Sequence, residues 1–216
     1  PLPQGKVTQQ SAFIFAVMLA ASSVFILTAW INVLTAVLTF ASMIGYAVVY
    51  TMYLKKATPQ NIVIGGLAGA TPPLLGWTSV TNSIDPHGVL LVLIIYTWTP
   101  PHFWALAIHR RDDYAKVNLP MLPVTHGIEF TKYAILGYTI LMILVTILPY
   151  LAYMRGLIYL GAALLLGFYF LYMVMLLMFT ERHNIAIKTL VYSINYLMLL
   201  FLAMVVDHYF PFYIGY

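Results

Sequence analysis

Seven apolar runs divide the chain, at residues 11–28, 33–54, 62–80, 88–108, 133–153, 157–179 and 189–206, separated by short polar stretches. Each matches or approaches the roughly 20 residues a helix needs to cross a bilayer core. Lipid offers backbone groups no water, so only helices and closed barrels span it. Barrel strands alternate polar and apolar residues, and these runs are unbroken. The pattern therefore predicts an all-α polytopic bundle of seven transmembrane helices, with one membrane domain over residues 1–216.

Composition sharpens this. The 216 residues are 62% hydrophobic and 7% charged, with a mean hydropathy of +0.91, where a soluble domain carries about 25% charged residues. A water-soluble globule is excluded. With no cysteine, disulfide frameworks, thiolate nucleophiles and iron-sulfur sites are excluded too. The net charge of +4 is punctuation between apolar runs, which argues against a nucleic-acid partner, since that needs a contiguous basic face.

Those basic residues orient the chain. Lys6, Lys55, Lys56, Arg110, Arg111, Lys116, Lys132, Arg182 and Lys188, nine of the ten, precede the first run or follow the second, fourth and sixth. Only Arg155 falls on the other side. Cytoplasmic loops collect such charges, so the N-terminus and even-numbered loops are expected inside and Tyr216 outside. The first run lacks the pattern of a cleaved secretory signal.

Chemistry concentrates in two cytoplasmic stretches. In the first, Lys55 and Lys56 close the second run before a turn at Thr58-Pro59. Two ammonium groups there suit an anion such as diphosphate, or they snorkel to the interface as topology anchors. The second runs from Trp98 through Pro100, Pro101 and His102 to His109, Arg110, Arg111, Asp112 and Asp113. On a continuous helix His102, His109 and Asp113 lie within about 20° of one meridian, with His102 roughly 10 Å deeper than His109. One ion cannot reach both imidazoles. Asp112 and Asp113 beside two arginines suit Mg²⁺ bridging to a phosphorylated substrate; the bland alternative is a solvated turn with internal ion pairs. His102, ionisable inside an apolar run, is a functional candidate by position.

Two further features shape the interior. Gly65, Gly66, Gly69 and Ala70 allow close helix approach. Thr71-Pro72-Pro73 and Thr99-Pro100-Pro101 sit in mid-run, where each double proline frees backbone carbonyls that must face protein, water or ligand. Two broken helices predict an internal cavity. His87, His126, His183 and His208 fall in loops or at run ends and read as interfacial.

Three motifs, at residues 50–66 (Y-T-x-x-L-K-K-x-T-P-Q-N-I-V-I-G-G), 69–77 (G-A-T-P-P-L-L-G-W) and 98–107 (W-T-P-P-H-F-W-A-L-A), are followed by R-x-D-Y and P-M-L-P. Together they resemble the protoheme IX farnesyltransferases, or haem O synthases, a branch of the UbiA-type intramembrane prenyltransferases. The resemblance is in order up to about Gly127, and rests mainly on hydropathy in the last three runs. It implies nine helices around a central cavity, with Mg²⁺-dependent ionisation of farnesyl diphosphate and attack on the allylic cation by a vinyl group of protoheme IX. Water then completes haem O. It also implies membrane lipid as a partner, haem A synthase or a terminal oxidase downstream, and a bacterial inner membrane with the site on the cytoplasmic side, rather than a mitochondrial one.

Carried over residue by residue, Asp112 and Asp113 hold the metal and act in catalysis. Lys55, Lys56, Arg110 and Arg111 bind diphosphate. His102, Tyr50 and Trp98 face the haem cavity. Two departures stand out. The family carries an earlier acidic motif of the form N-D-x-x-D, which this sequence lacks, and seven runs replace nine. The chain is therefore expected to correspond to the C-terminal part of such an enzyme. Asn118 stands where the family often has glycine, and asparagine tolerates the positive φ of such a turn. Two other readings stay open: a transporter with discontinuous helices, though no internal repeats support it, and a non-catalytic haem- or lipid-binding fragment.

Overall fold

The computed structural model describes residues 4–180, 184–210 and 212, and they form helices joined by short turns, without a strand. Arg182, His183 and the two chain ends, on which part of the sidedness argument leaned, lie outside the described residues.

The chain opens with α1 (Gln9–Trp30) and α2 (Val33–Ile44), which runs without interruption through a π-helical segment (Gly45–Leu54) into α3 (Lys55–Ala57). Side-chain caps start the first two: Thr8 Oγ1 accepts from the Ser11 amide at 3.1 Å and Asn32 Oδ1 from the Thr35 amide at 2.8 Å, each satisfying a donor that a helix start leaves unpaired. Then come α4 (Asn61–Gly69), α5 (Pro72–Thr81), α6 (Pro86–His109), α7 (Arg111–Lys116), α8 (Leu122–Thr125), α9 (Gly127–Leu151), α10 (Leu157–Phe179) and α11 (Asn184–Tyr209).

The count of long helices differs from the seven spans expected, and the break expected in the third is present. Among the described residues six helices are long and apolar enough to cross a membrane. The run at 62–80 is two half-length helices, because Pro72 and Pro73 lack the amides that would continue α4, and Pro72 instead starts α5 at a position that needs none. The two pieces together still pass the whole length of their neighbours. At one end Asn32 Nδ2 donates to Thr78 O at 2.8 Å; midway Ser42 Oγ meets Thr71 Oγ1 at 2.7 Å; at the other end Asn61 Nδ2 donates to Lys55 O at 3.1 Å.

The second double proline behaves differently. Pro100 and Pro101 lie inside α6, which stays helical from Pro86 to His109, so the expected pair of broken helices is one broken and one continuous. Both prolines are buried, and packing on every side holds the helix together despite two missing amide donors. The expected meridian of His102, His109 and Asp113 also ends early. Arg110, at φ −106° and ψ 26°, leaves the helix, and α7 carries Asp113 in a new direction.

Helices α6, α9, α10 and α11 form the packed bundle. Trp104, Ile135, Met142, Tyr159, Phe170, Tyr196 and Leu200 are its sealed core. Two of its buried hydroxyls return to backbone, which offsets the loss of water: Tyr159 Oη donates to Thr146 O at 2.8 Å and Thr139 Oγ1 to Ile135 O at 2.8 Å. At the end opposite the lysines, the buried carboxylate of Asp207 accepts from Gly156 N at 2.6 Å and Tyr159 N at 3.1 Å, closing the N-terminus of α10 where a negative charge is favoured. Helix α1 buries none of its residues.

Candidate functional site

Antiparallel packing brings the end of α6, the start of α9, the end of α10 and the start of α11 together at the lysine- and arginine-rich end of the bundle. A cavity of ≈ 360 Å³ opens there, with His109, Arg111, Asp112, Glu129, Lys132 and Thr180 among its walls. Of the residues proposed from sequence, it gathers Arg111 and Asp112. Arg111 Nε donates to Pro123 O at 3.1 Å, which ties α7 to α8. Asp113, one residue on, is absent from the lining and pairs with Lys116 at 3.8 Å on the surface, an interaction of small energetic weight. Arg110, Lys55 and Lys56 are exposed and also outside that lining.

Sequence reasoning missed Glu129, Lys132 and Thr180 of this mouth. Lys132 reads from sequence as a topology anchor in a loop, but α9 begins at Gly127 and carries it one and a half turns into the helix, where it is 7% exposed. Its ammonium donates to Glu129 Oε1 at 2.8 Å. A lysine that deep needs such a partner, and the signal was available: Glu and Lys three apart lie on one helix face.

Deeper along α6, Trp98 and His102 stack with ring centroids 4.3 Å apart and planes at 20°, and Phe103 meets the imidazole edge-on at 5.0 Å. Ser193 of α11 ties both down. Its carbonyl accepts from Trp98 Nε1 at 2.8 Å and its hydroxyl lies 2.6 Å from His102 Nδ1. An apolar groove of ≈ 390 Å³ continues from Trp98 along the seam of α6 and α11. Tyr50, on the π-helical segment, lays its ring directly over Gly65, where a Cβ would collide with it. Neighbouring Gly66 backs onto Thr99 of α6, so Gly65 and Gly66 serve the close approach predicted for them, whereas Gly69 has nothing within 4 Å of its Cβ position. Asn118 adopts φ +50°, as the turn after α7 requires.

These features define an integral multi-pass membrane protein with charged groups gathered at one end of an apolar bundle. The sequence matches the UbiA prenyltransferase family over residues 1–205. It is 59% identical over 212 residues to protoheme IX farnesyltransferase 2 of Pseudoalteromonas atlantica, covering 98% of this chain and 70% of the relative. It is 59% identical over 211 residues to the protoheme IX farnesyltransferase of Alcanivorax borkumensis, with 98% and 70% covered, and 58% identical to that of Hahella chejuensis, with 98% and 71% covered. A solved structure described as digeranylgeranylglyceryl phosphate synthase in membranes superposes with a TM-score of 0.78 at 21% identity, covering 96% of this chain and 72% of that one, a likeness of fold. The chain belongs to the UbiA prenyltransferase family, and it is a prenyltransferase by class.

Proposed function

We propose that this chain transfers the farnesyl group of farnesyl diphosphate to a vinyl group of protoheme IX, giving haem O, at the cytoplasmic face of a bacterial inner membrane. The observation that carries this reading is the layout of α6. One helix ends in a charged mouth fit for diphosphate, and its middle lines an apolar seam fit for a prenyl chain and a porphyrin. The names of the relatives that match nearly the whole chain favour the same substrates.

The roles are assigned from the motifs, with the place of Arg111 and Asp112 in the cavity lining in support. Asp112 faces the mouth and takes the direct contact with metal-bound diphosphate, with Asp113 completing the acidic motif at its rim. Arg111 and Arg110 suit the leaving diphosphate through forked N–H groups, and Lys55 and Lys56 add cationic charge from α3. Trp98, His102 and Tyr50 serve the porphyrin side.

Among the described residues no group of three or more His, Asp or Glu side chains is disposed to hold a metal. The carboxylates at the mouth still suit Mg²⁺, which keeps several waters and binds through one or two carboxylates plus substrate phosphates; Asp112, in the cavity lining, is the residue we assign to it. Magnesium, when bound, neutralises the charge that builds on the departing diphosphate. The protein's part is to exclude water from the apolar seam until the new carbon-carbon bond has formed, and to align vinyl group and allylic carbon within contact distance.

Detergent-solubilised protein incubated with haem b, farnesyl diphosphate and Mg²⁺ should yield haem O by mass spectrometry, and chelation of Mg²⁺ should abolish it. Absence of product with intact substrates and folded protein overturns the reading.

A further inference from the structure

The contacts of Ser193 fix the proton on His102. Ser193 Oγ lies 2.6 Å from Leu190 O and 2.6 Å from His102 Nδ1. A hydroxyl has one proton to give, and the Leu190 carbonyl can only accept it. The serine oxygen is then left to accept from the imidazole, so Nδ1 carries the hydrogen. In the neutral ring the lone pair sits on Nε2.

That nitrogen is free in the structure. Among the described residues His102 makes no hydrogen bond other than the one to Ser193, and its Nε2 is not among the sealed polar atoms lacking partners. It therefore reaches the surface of the bundle at membrane depth. Trp98 covers one face of the ring and Phe103 abuts it, and Trp98 is itself held by Ser193 and forms one wall of the apolar groove. An orientated imidazole with its Nδ1–H spent on an oxygen and its Nε2 lone pair exposed beside an apolar slot is the arrangement of a metal ligand with a supporting hydrogen bond.

We infer that His102 Nε2 ligates the iron of the porphyrin substrate, and that Ser193 is the positioning residue that sets its tautomer and direction. This rests on the reading of protoheme IX as substrate. Ligation would hold the macrocycle by its centre against the α6–α11 seam, leaving the vinyl-bearing edge free to turn toward the charged mouth.

The test titrates the full chain in detergent with ferric haem b, then reduces it and records the iron–histidine stretch by resonance Raman spectroscopy. The wild type should bind with a histidine-ligated absorption spectrum. His102→Ala should lose that spectrum and regain it with added imidazole, while His87→Ala and His208→Ala keep it. Ser193→Ala should bind roughly 10-fold more weakly, with the stretch shifted to lower frequency, since the supporting hydrogen bond raises ligand basicity. Ser193→Thr should restore both. Haem binding with an unchanged spectrum in His102→Ala overturns the inference while leaving the substrate reading intact. Failure of the wild type to bind haem overturns both. If His102→Ala does not fold, the Ser193 pair decides: an unmoved iron–histidine stretch in Ser193→Ala overturns the assignment.

Discussion

Asp112 and Asp113 are adjacent in sequence and meet different surroundings. The first turns into the mouth beside Arg111, and the second turns to Lys116. Charge at a diphosphate contact is worth far more than charge at a solvated rim, so Asp112→Asn should lower turnover by roughly 100-fold. Asp113→Asn should cost distinctly less; equal losses, measured as kcat with saturating substrates, would show that the two act as one site. The sequence announced an acidic pair beside arginines but not which of the two meets the mouth, because that depends on the direction α7 takes after Arg110 leaves the helix. On the opposite face, Asp85 Oδ2 accepts from Trp77 Nε1 at 2.6 Å and from Ser83 Oγ at 3.0 Å. These bonds hold its carboxyl below the ordinary carboxylate value. A depressed folded-state value means stability that is present at neutral pH and lost as the pH falls through the acid range. Trp77 fluorescence should therefore change on acidification below the ordinary carboxylate value, and Asp85→Asn should flatten that response.

The elements show where a helical pattern is decisive and where it is silent. Hydropathy located every long helix, and Pro72 marked a genuine break. Pro100 and Pro101 looked the same in sequence and break nothing, since burial on all sides outweighs the two missing amides. The π-helical segment at Gly45–Leu54 had no signal that periodicity could supply. It positions Tyr50 over Gly65, and that contact makes a prediction of sign. Alanine at a helical glycine in open space should stabilise by about 0.5–1 kcal/mol, as expected for Gly161→Ala, where nothing lies within 4 Å. Gly65→Ala should instead destabilise by about 1–3 kcal/mol through overpacking against the Tyr50 ring. Thermal unfolding in detergent compares the two, and a stabilised Gly65→Ala would remove Tyr50 from its assigned place.

For the whole molecule, the fold class was legible from the apolar runs, because lipid imposes an unbroken apolar helix on the sequence directly. The mouth was legible in half: Arg111 and Asp112 lie in one conspicuous stretch, whereas Glu129, Lys132 and Thr180 come from α9 and the end of α10 and meet them only through packing. Ser193 was hidden for the same reason, an ordinary serine until α11 lays it against His102. On the function proposed above, this assembled mouth draws diphosphate from the cytoplasm and passes a farnesyl group to a porphyrin held within the bilayer. Haem O formation in sealed membrane vesicles of opposite orientation, with haem b in the bilayer and membrane-impermeant farnesyl diphosphate and Mg²⁺ added outside, tests it most directly. Product in inverted vesicles and none in right-side-out vesicles is the predicted result; product confined to right-side-out vesicles, or none in either, would contradict it.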